Sequence, residues 1–163
     1  MRAADAMTPT LEVGSVGDIP VDWLLDGGTR CVMFDLDNTC VPRGSDEAPA
    51  GMADMMAGLR GLGMATCVVS NNFRARRVRE AAAALGCDHA FWAMNPLPFA
   101  LLGAMRKAGV DDPAACVMVG DQPHTDVLAG NLAGMRTVLV RPQDPGAKPL
   151  YAKAMRRLFD GRR

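Results

Sequence analysis

Asp35 and Asp37 are the residues of this chain whose type and spacing most directly suggest chemistry. They close an apolar run within the segment Val-Met-Phe-Asp-Leu-Asp-Asn-Thr, residues 32–39. Residues i and i+2 of a strand point to the same side, so both carboxylates would leave the strand toward the same space. Carboxylates that close repel each other unless a cation lies between them or one is protonated. An Asp-rich turn is the alternative, because Asp and Asn are common turn formers.

Further polar residues close two other apolar runs. Ser70 and Asn71 end one run, Asp121 follows another, and Asp126 comes shortly after Asp121. Hard oxygen ligands of this kind suit Mg²⁺, which keeps several waters and holds substrate phosphate. Zinc is disfavoured, because the two histidines are not at ligand spacing and the cysteines lie in apolar surroundings. For Asp126 the alternative is a helix N-terminal residue that only offsets the helix dipole. The predicted metal ligands are Asp35, Asp37, Asp121 and Asp126.

This set of residues suits phosphoryl transfer. A carboxylate can attack phosphorus and form an aspartyl-phosphate, and a second carboxyl can protonate the departing oxygen and then deprotonate a hydrolytic water. Asp35 suits the first role because it ends the strand, and Asp37 suits the second because it is next on the same side. Ser70 and Asn71, with nearby backbone amides, can hold the phosphoryl oxygens. Most of the catalysis would be positioning and charge neutralisation.

The order of elements explains how these residues would meet. Apolar runs predict strands at Cys31–Asp35, Ala65–Ser70, His89–Trp92, Cys116–Val119 and Thr137–Val140. Helical patterns between and after them lie at about Ala50–Leu62, Phe73–Leu85, Pro98–Ala108, Thr125–Ala133 and Leu150–Phe159. This alternation predicts a Rossmann-like three-layer α/β/α sandwich with a mainly parallel five-stranded sheet. Ligands of such sheets bind beyond the carboxyl ends of the strands, where the polar residues lie.

Size and composition are those of one globular domain. The chain has 163 residues, 49% hydrophobic and 22% charged, enough to bury a real core. We predict a single domain over 1–163, with an N-terminal leader 1–28, a core of about 29–142 and a C-terminal helix of about 149–160. The formal net charge is zero, so no overall field attracts nucleic acid.

The cysteines and the N-terminus favour a cytoplasmic setting. Five cysteines without a CxxC pair favour a reduced environment over a disulfide framework. Residues 1–10 carry acid and lack an apolar core segment, so they do not read as a secretory signal. No apolar run is long enough to cross a bilayer, so no transmembrane segment is expected. The oligomeric state is not readable from the sequence.

Three segments, taken together, resemble the haloacid dehalogenase (HAD) superfamily. Residues 35–39, 70–72 and 120–126 resemble its first, second and fourth motifs. The closer similarity, from Leu11 through Pro142, is to the YqeG-type phosphatases of subclass IIIA. The resemblance implies a Rossmann-like fold with a minimal cap domain or none, Mg²⁺ dependence and phosphomonoester hydrolysis. It also implies the roles of single residues: Asp35 as nucleophile, Asp37 as general acid/base, Ser70 as phosphate ligand, and Asp121 as metal ligand supported by Asp126.

The chain departs from the family at one position. Family members usually carry a lysine before a proline after the third strand, whereas this chain has Asn95. Asn donates hydrogen bonds but brings no charge, and losing one preorganised electrostatic contact costs about 10²–10³ in rate. Arg74 is the first candidate to supply the charge, with a solvated helix face as its alternative, and Arg43 is the second. The predicted phosphate-binding residues are Ser70, Asn71, Asn38, Asn95 and Arg74.

The leading hypothesis is therefore a Mg²⁺-dependent phosphatase slowed by Asn95. A catalytically silent relative that binds a phosphorylated ligand or partner is the alternative, and the same residue supports it. A receiver-type signalling domain fits poorly, because receivers lack an acid/base two residues after the phosphorylated aspartate.

The expected substrate is a small phosphorylated compound. Family relatives include a mitochondrial enzyme that dephosphorylates phosphatidylglycerophosphate, so a phospholipid head group is conceivable. A phosphorylated metabolite or nucleotide is equally allowed. The apolar segment 91–99 would meet lipid at the cleft rim, with ordinary packing as the alternative.

Overall fold

A computed structural model describes residues 5–72, 74–91 and 97–146 of the chain. Six strands lie in these ranges: β1 (Leu11–Val13), β2 (Cys31–Phe34), β3 (Ala65–Ser70), β4 (Asp88–Phe91), β5 (Cys116–Gly120) and β6 (Arg136–Val140). The helices are α1 (Val21–Asp26), α2 (Met52–Gly61), α3 (Ala75–Ala84), α4 (Phe99–Lys107) and α5 (Leu128–Ala133). The strands form one sheet in the order β1-β6-β5-β2-β3-β4, and every neighbouring pair is parallel. The Rossmann-like prediction is confirmed.

Alternation along the strands divides the core into two layers, one on each face of the sheet. Val32 and Phe34 of β2 belong to the layer that also contains Met56 of α2 and Val78 of α3. The alternate residues of β2 belong to the other layer, together with residues of α4 and α5. Because successive side chains of a strand point to opposite faces, an apolar run buried on both sides requires helices on both sides.

The sheet has one strand more than the five that the sequence predicts. Strand β1 lies within the predicted N-terminal leader and pairs with β6 at the edge of the sheet. Thr10 and Thr137 extend this pairing through bonds between their hydroxyls and each other's backbone amides. Helix α1 contributes the buried Leu24 to the core. Part of the leader is therefore integrated into the domain.

The chain between β5 and α5 differs from its prediction. A continuous helix was expected over Thr125–Ala133, whereas Pro123–Val127 form a π-helical turn and α5 begins at Leu128. Single π-helical turns are rare and occur frequently at functional sites. The turn contains Asp126, one of the predicted site residues.

Some predictions concern residues outside the described part of the chain. These are Asn95, most of the apolar segment 91–99 and the C-terminal helix of about 149–160. No helix among the described residues combines the length and apolarity needed to cross a membrane. All five cysteines are free thiols, and four of them are buried.

Candidate active site

The carboxyl ends of β2 and β5 meet where the strand order reverses. The chain passes from β2 to β3 and β4 on one side, and then returns to β5 and β6 on the other. Phe34 is opposite Val119 in the register, and the backbone amide of Asp35 donates to the carbonyl of Val119 at 2.9 Å. Asp35 and Asp121 therefore leave neighbouring strands at nearly the same level. Ligands of open parallel sheets bind at this kind of crevice.

Three carboxylates converge at this crevice. Asp35, Asp121 and Asp126 each place an oxygen within 4.8 Å of the others; we call this set the carboxylate triad. Asp35 and Asp126 are buried, and Asp121 is half-buried. The fold thus brings Asp35 together with Asp121 and Asp126, which lie much later in the sequence, whereas Asp37, the fourth predicted ligand, is not in this set.

Local interactions fix the position of Asp126. Its carboxylate accepts one hydrogen bond from the backbone amide of Gln122 at 3.1 Å and another from the hydroxyl of Thr125 at 3.1 Å. Gly120 is necessary here, because a Cβ at this position would overlap the Asp126 side chain. The π-helical turn after β5 therefore packs this carboxylate directly against the end of the strand.

The electrostatics of the triad fit a bound cation. Burial raises the pKa of Asp35 well above its usual value, and the charges of Asp126, Asp121 and Asp37 raise it further. Burial likewise raises the pKa of Asp121 to about 6, although the positive charge of Arg43 opposes the shift. Oδ1 of Asp121 is buried and has no hydrogen-bond partner in the described part of the chain. A divalent cation would relieve the repulsion and give this orphaned oxygen a ligand, so the residues fit a hard metal ion.

Asp37 has different surroundings from Asp35. Its Oδ1 lies 2.8 Å from Nη1 of Arg77, and the Asn72 amide donates to its Oδ2 at 3.4 Å. Nη1 has no hydrogen-bond partner among the described residues, so the contact with Asp37 is an ion pair. The Asp37 carboxylate is not part of the triad, and its predicted metal contact stays a prediction.

Arg77 also contacts residues further along the loop after β2. Its Nη2 donates to the carbonyl of Ser45 at 2.7 Å, and its Nε donates to Oδ1 of Asp46 at 2.9 Å. We call Asp37, Arg77, Asp46 and the Ser45 carbonyl the Arg77 network. It connects α3 to the loop that carries the predicted acid/base.

The second motif forms a tight polar turn at the end of β3. Ser70 is buried, and its hydroxyl oxygen accepts from the backbone amide of Asn72 at 3.1 Å. Asn72 in turn accepts the backbone amide of Arg74 and reaches Asp37 with its own amide. The Ser70 hydroxyl hydrogen stays available for a ligand oxygen, since the hydroxyl is only an acceptor in this bond. The phosphate roles of Ser70 and Asn71 stay predictions.

Asn38 has a structural position in the loop after β2. It adopts the left-handed backbone conformation, with φ of 67°, which Asn tolerates better than most residues. Its side-chain oxygen accepts from the backbone amides of Arg43 and Asp144, and its amide donates to the Asp144 carbonyl. These bonds join the first-motif loop to the segment after β6, and phosphate binding by Asn38 stays a prediction.

Sequence reasoning missed several supporting residues. Arg77, Asn72 and Thr125 position the predicted carboxylates, yet none of them was singled out. Asn72 belongs to the second motif, and Thr125 directly precedes the predicted ligand Asp126. Their position next to predicted site residues is the sequence feature that could have identified them. Arg77 stands among three other arginines, and nothing in the sequence shows which one of them faces Asp37.

Comparisons with known proteins agree with this architecture. The HAD-hydrolase-like family matches residues 94–154. A Bacillus subtilis protein named probable phosphatase YqeG is 32% identical over 130 residues, which cover 80% of this chain and 74% of that protein. This identity and coverage extend the relationship over most of both proteins.

Two solved phosphatases share the fold at low sequence identity. The cobalt-bound deoxy-D-mannose-octulosonate 8-phosphate phosphatase of Haemophilus influenzae gives a TM-score of 0.55 at 16% identity, covering 79% of this chain and 75% of that one. The 3-deoxy-D-manno-octulosonate 8-phosphate phosphatase of Moraxella catarrhalis, in complex with magnesium, phosphate and KDO, gives 0.53 at 14% identity, covering 87% and 97%.

Proposed function

Because this chain belongs to the haloacid dehalogenase superfamily, as a relative of the YqeG-type phosphatases, we propose that it hydrolyses phosphomonoesters through an aspartyl-phosphate. Asp35 is the nucleophile, Asp37 is the general acid and base, and the substrate is a small phosphorylated compound. The observation that carries the proposal is the convergence of Asp35, Asp121 and Asp126 within 4.8 Å at the carboxyl ends of two neighbouring strands.

The first half-reaction forms the covalent intermediate. A carboxylate oxygen of Asp35 attacks phosphorus, and the bond from phosphorus to the ester oxygen breaks. Asp37, protonated at this stage, gives its proton to the departing oxygen, so the alcohol leaves neutral. The contacts from Arg77 and Asn72 hold the Asp37 carboxyl in place for this transfer.

The second half-reaction releases phosphate. Asp37, now ionised, takes a proton from water as the water oxygen attacks phosphorus. The bond from phosphorus to the Asp35 oxygen breaks, so inorganic phosphate leaves and the Asp35 carboxylate returns. Ser70 and Asn71 hold the phosphoryl oxygens during both steps, because they lie at the end of β3 beside the first-motif loop.

The carboxylate triad would hold the metal, which we propose is Mg²⁺. When bound, it would offset the repulsion among the carboxylates and the charge of the phosphoryl group. The raised pKa of Asp35 supports this proposal, since a nucleophile in this position must be ionised and nearby positive charge favours the ionised form. Cobalt and magnesium in the two solved phosphatases are consistent with it.

Hydrolysis of p-nitrophenyl phosphate tests the proposal. The wild-type protein with Mg²⁺ should release nitrophenolate, EDTA should stop the reaction, and Asp35→Asn should be inactive. Activity that is equal in both proteins, or absent from both, would instead favour a silent relative that binds a phosphorylated ligand. Acid quenching of the wild-type reaction should also trap phosphate on Asp35.

A substrate panel then extends the proposal. Phosphorylated metabolites, nucleotides and phosphatidylglycerophosphate belong in it, because no residue of the described cleft selects among them. We also propose a cytoplasmic location, which the free cysteines support.

A further inference from the structure

Two guanidinium nitrogens of Arg43 are buried and have no partner among the described residues. Its Nε and Nη2 atoms are both shielded from solvent, and neither has a hydrogen-bond partner. Leaving a charged donor buried and unpaired destabilises the folded protein. Buried polar groups in native proteins nearly always find a partner, so an orphaned pair on one side chain calls for an explanation.

The position of Arg43 relates it to the cleft. It follows β2 by nine residues, and its backbone amide donates to the Asn38 side chain at 3.2 Å. It therefore belongs to the same loop as Asp35 and Asp37, and its positive charge opposes the raised pKa of Asp121. Yet no ion pair within 4.0 Å joins Arg43 to any carboxylate in the described ranges. Oδ1 of Asp121 and Oε1 of Gln122 are likewise buried without a partner.

These unpaired atoms indicate that Arg43 and Asp121 do not form an ion pair with each other and that both are able to bind a ligand. If Arg43 were only a structural counter-ion for Asp121, its N–H groups would contact that carboxylate. Instead, two guanidinium nitrogens of Arg43 and one carboxylate oxygen of Asp121 are buried, and none of these atoms has a hydrogen-bond partner among the described residues. A bound anion would pair with the Arg43 nitrogens, and a cation bound by the carboxylates would pair with the Asp121 oxygen. Positive and negative charges would then alternate across the cleft.

We propose that Arg43 binds the phosphoryl oxygens of the substrate and of the phosphate product, supplying the charge that Asn95 lacks. This inference rests on the proposed phosphatase function. A guanidinium presents donors in a planar fork that matches phosphate oxygens bidentately. Nε and Nη2, the two unsatisfied atoms, are neighbouring members of that fork.

The other arginines near the cleft are engaged or exposed. Arg77 is occupied by Asp37, Asp46 and the Ser45 carbonyl. Arg74 is exposed and precedes the first residue of α3. Arg43 thus replaces Arg74 as the candidate for the missing charge.

Titration with inorganic phosphate in the presence of Mg²⁺, followed by protein chemical shifts, tests the inference. Arg43→Ala should weaken phosphate binding about 10- to 100-fold, as expected for loss of a charge-assisted contact. It should lower kcat/KM for p-nitrophenyl phosphate by a similar factor. Arg43→Lys should recover part of both. Arg76→Ala is the matched control, since Arg76 is an exposed arginine paired with Glu80, and it should stay within about twofold of wild type.

The outcomes separate the two proposals. Phosphate binding and kcat/KM within twofold of wild type in Arg43→Ala, or a larger loss in Arg74→Ala, would overturn the role of Arg43 while leaving the phosphatase intact. A wild-type protein that binds phosphate without hydrolysing any ester would overturn the proposed function, and the Arg43→Ala titration would still test the anion site. If Arg43→Ala does not fold by circular dichroism, Arg43→Gln removes the charge with a similar side-chain size.

A double variant tests whether Arg43 supplies the positive charge that the lysine supplies in other family members. Asn95→Lys should raise turnover modestly in the wild-type background and much more in Arg43→Ala, because the two cations would serve the same oxygens. An equal gain in both backgrounds would mean that they act independently, which contradicts the substitution of one for the other.

Discussion

Asp35 and Asp37 stand two residues apart on the same loop, yet their carboxylates have opposite surroundings. Asp35 faces the carboxylates of Asp121 and Asp126, and burial and repulsion raise its pKa. Asp37 faces a cation, with Nη1 of Arg77 at 2.8 Å and the amide of Asn72 beside it. The protein therefore provides a cation beside Asp37, whereas it places two further carboxylates beside Asp35.

The contrast explains how one strand end can serve two roles. The carboxylates of the triad repel one another, and a bound metal ion would compensate this repulsion. The stability of the protein should therefore depend on whether the metal is bound. The Arg77 network joins Asp37 to a cation and to polar groups of the protein itself, so it can hold the proposed acid/base in place whether or not a ligand is present. Variants in the two regions should accordingly change activity and stability in different combinations.

Removing the charge of Asp35 should have the largest effect. Asp35→Asn eliminates the proposed nucleophile, so kcat/KM for p-nitrophenyl phosphate should fall at least about 10³-fold. The metal-free protein should nevertheless melt at a higher temperature than wild type, because a buried repelling charge is gone. A lower melting temperature, measured by circular dichroism without metal, would contradict the electrostatic description of the triad.

Asp121→Asn should have the next largest effect on activity. It weakens the metal site without touching the nucleophile, so we expect a loss of at least about 10-fold at low Mg²⁺ that higher Mg²⁺ partly restores. Activity assays over a range of Mg²⁺ concentrations measure this. A loss that is independent of Mg²⁺ concentration would place Asp121 outside the metal site.

Arg77→Ala should show the reverse combination from Asp35→Asn. Asp37 would lose its ion pair in a half-buried site, so we expect a loss of about 1–3 kcal/mol in the free energy of unfolding and a lower kcat. Urea unfolding and kinetics measure both.

Arg76→Ala is the control for this loss. The Arg76 and Glu80 side chains are 88% and 64% exposed, against 16% and 20% for Arg77 and Asp37, so its effect on unfolding should stay within the error of the measurement. Equal losses in the two variants would mean that the Arg77 network contributes nothing specific.

The pH dependence of stability should give the smallest effect. The pKa of Asp121 is about 6 in the fold, against an ordinary value of 3.8. The folded protein therefore binds more protons at this site than the unfolded chain between these values, and its stability falls as pH rises through that window. The melting temperature of metal-free wild type, relative to Asp121→Asn, should drop by a few degrees from pH 4 to pH 7.

Metal should reverse this trend. Mg²⁺ should raise the melting temperature of wild type more at pH 7 than at pH 5, since protons compete for the same carboxylate. A Mg²⁺ effect of equal size at both pH values would argue that the ion binds elsewhere.

The sequence predicted the features that depend on strand ends. Asp35 and Asp121 follow apolar runs that become neighbouring strands, so parallel pairing alone brings them together. Asp126 required more: Gly120 and a π-helical turn carry it back toward the strand, whereas the helical pattern suggested an ordinary helix. Asp126 does lie beside Asp35 and Asp121, although the sequence did not predict the backbone that brings it there, and its role as a metal ligand stays a prediction.

The features that depend on how a helix is oriented could not be predicted from the sequence. Which arginine of α3 reaches Asp37 depends on where the helix begins and how it packs, and α3 begins at Ala75 and not at Phe73. Arg77 faces the network and Arg74 is exposed as a result. Strand β1 has only three residues, too few for an alternating pattern, and becomes a strand through its pairing with β6.

Calorimetric titration of the metal-free protein with Mg²⁺ at pH 7 tests the central claim most directly, namely that the carboxylate triad is a metal site. The account predicts one ion bound per chain in wild type, and binding that is strongly weakened by Asp121→Asn and unchanged by Arg76→Ala. No binding to wild type, or binding that Asp35→Asn and Asp121→Asn both leave unaltered, would contradict it.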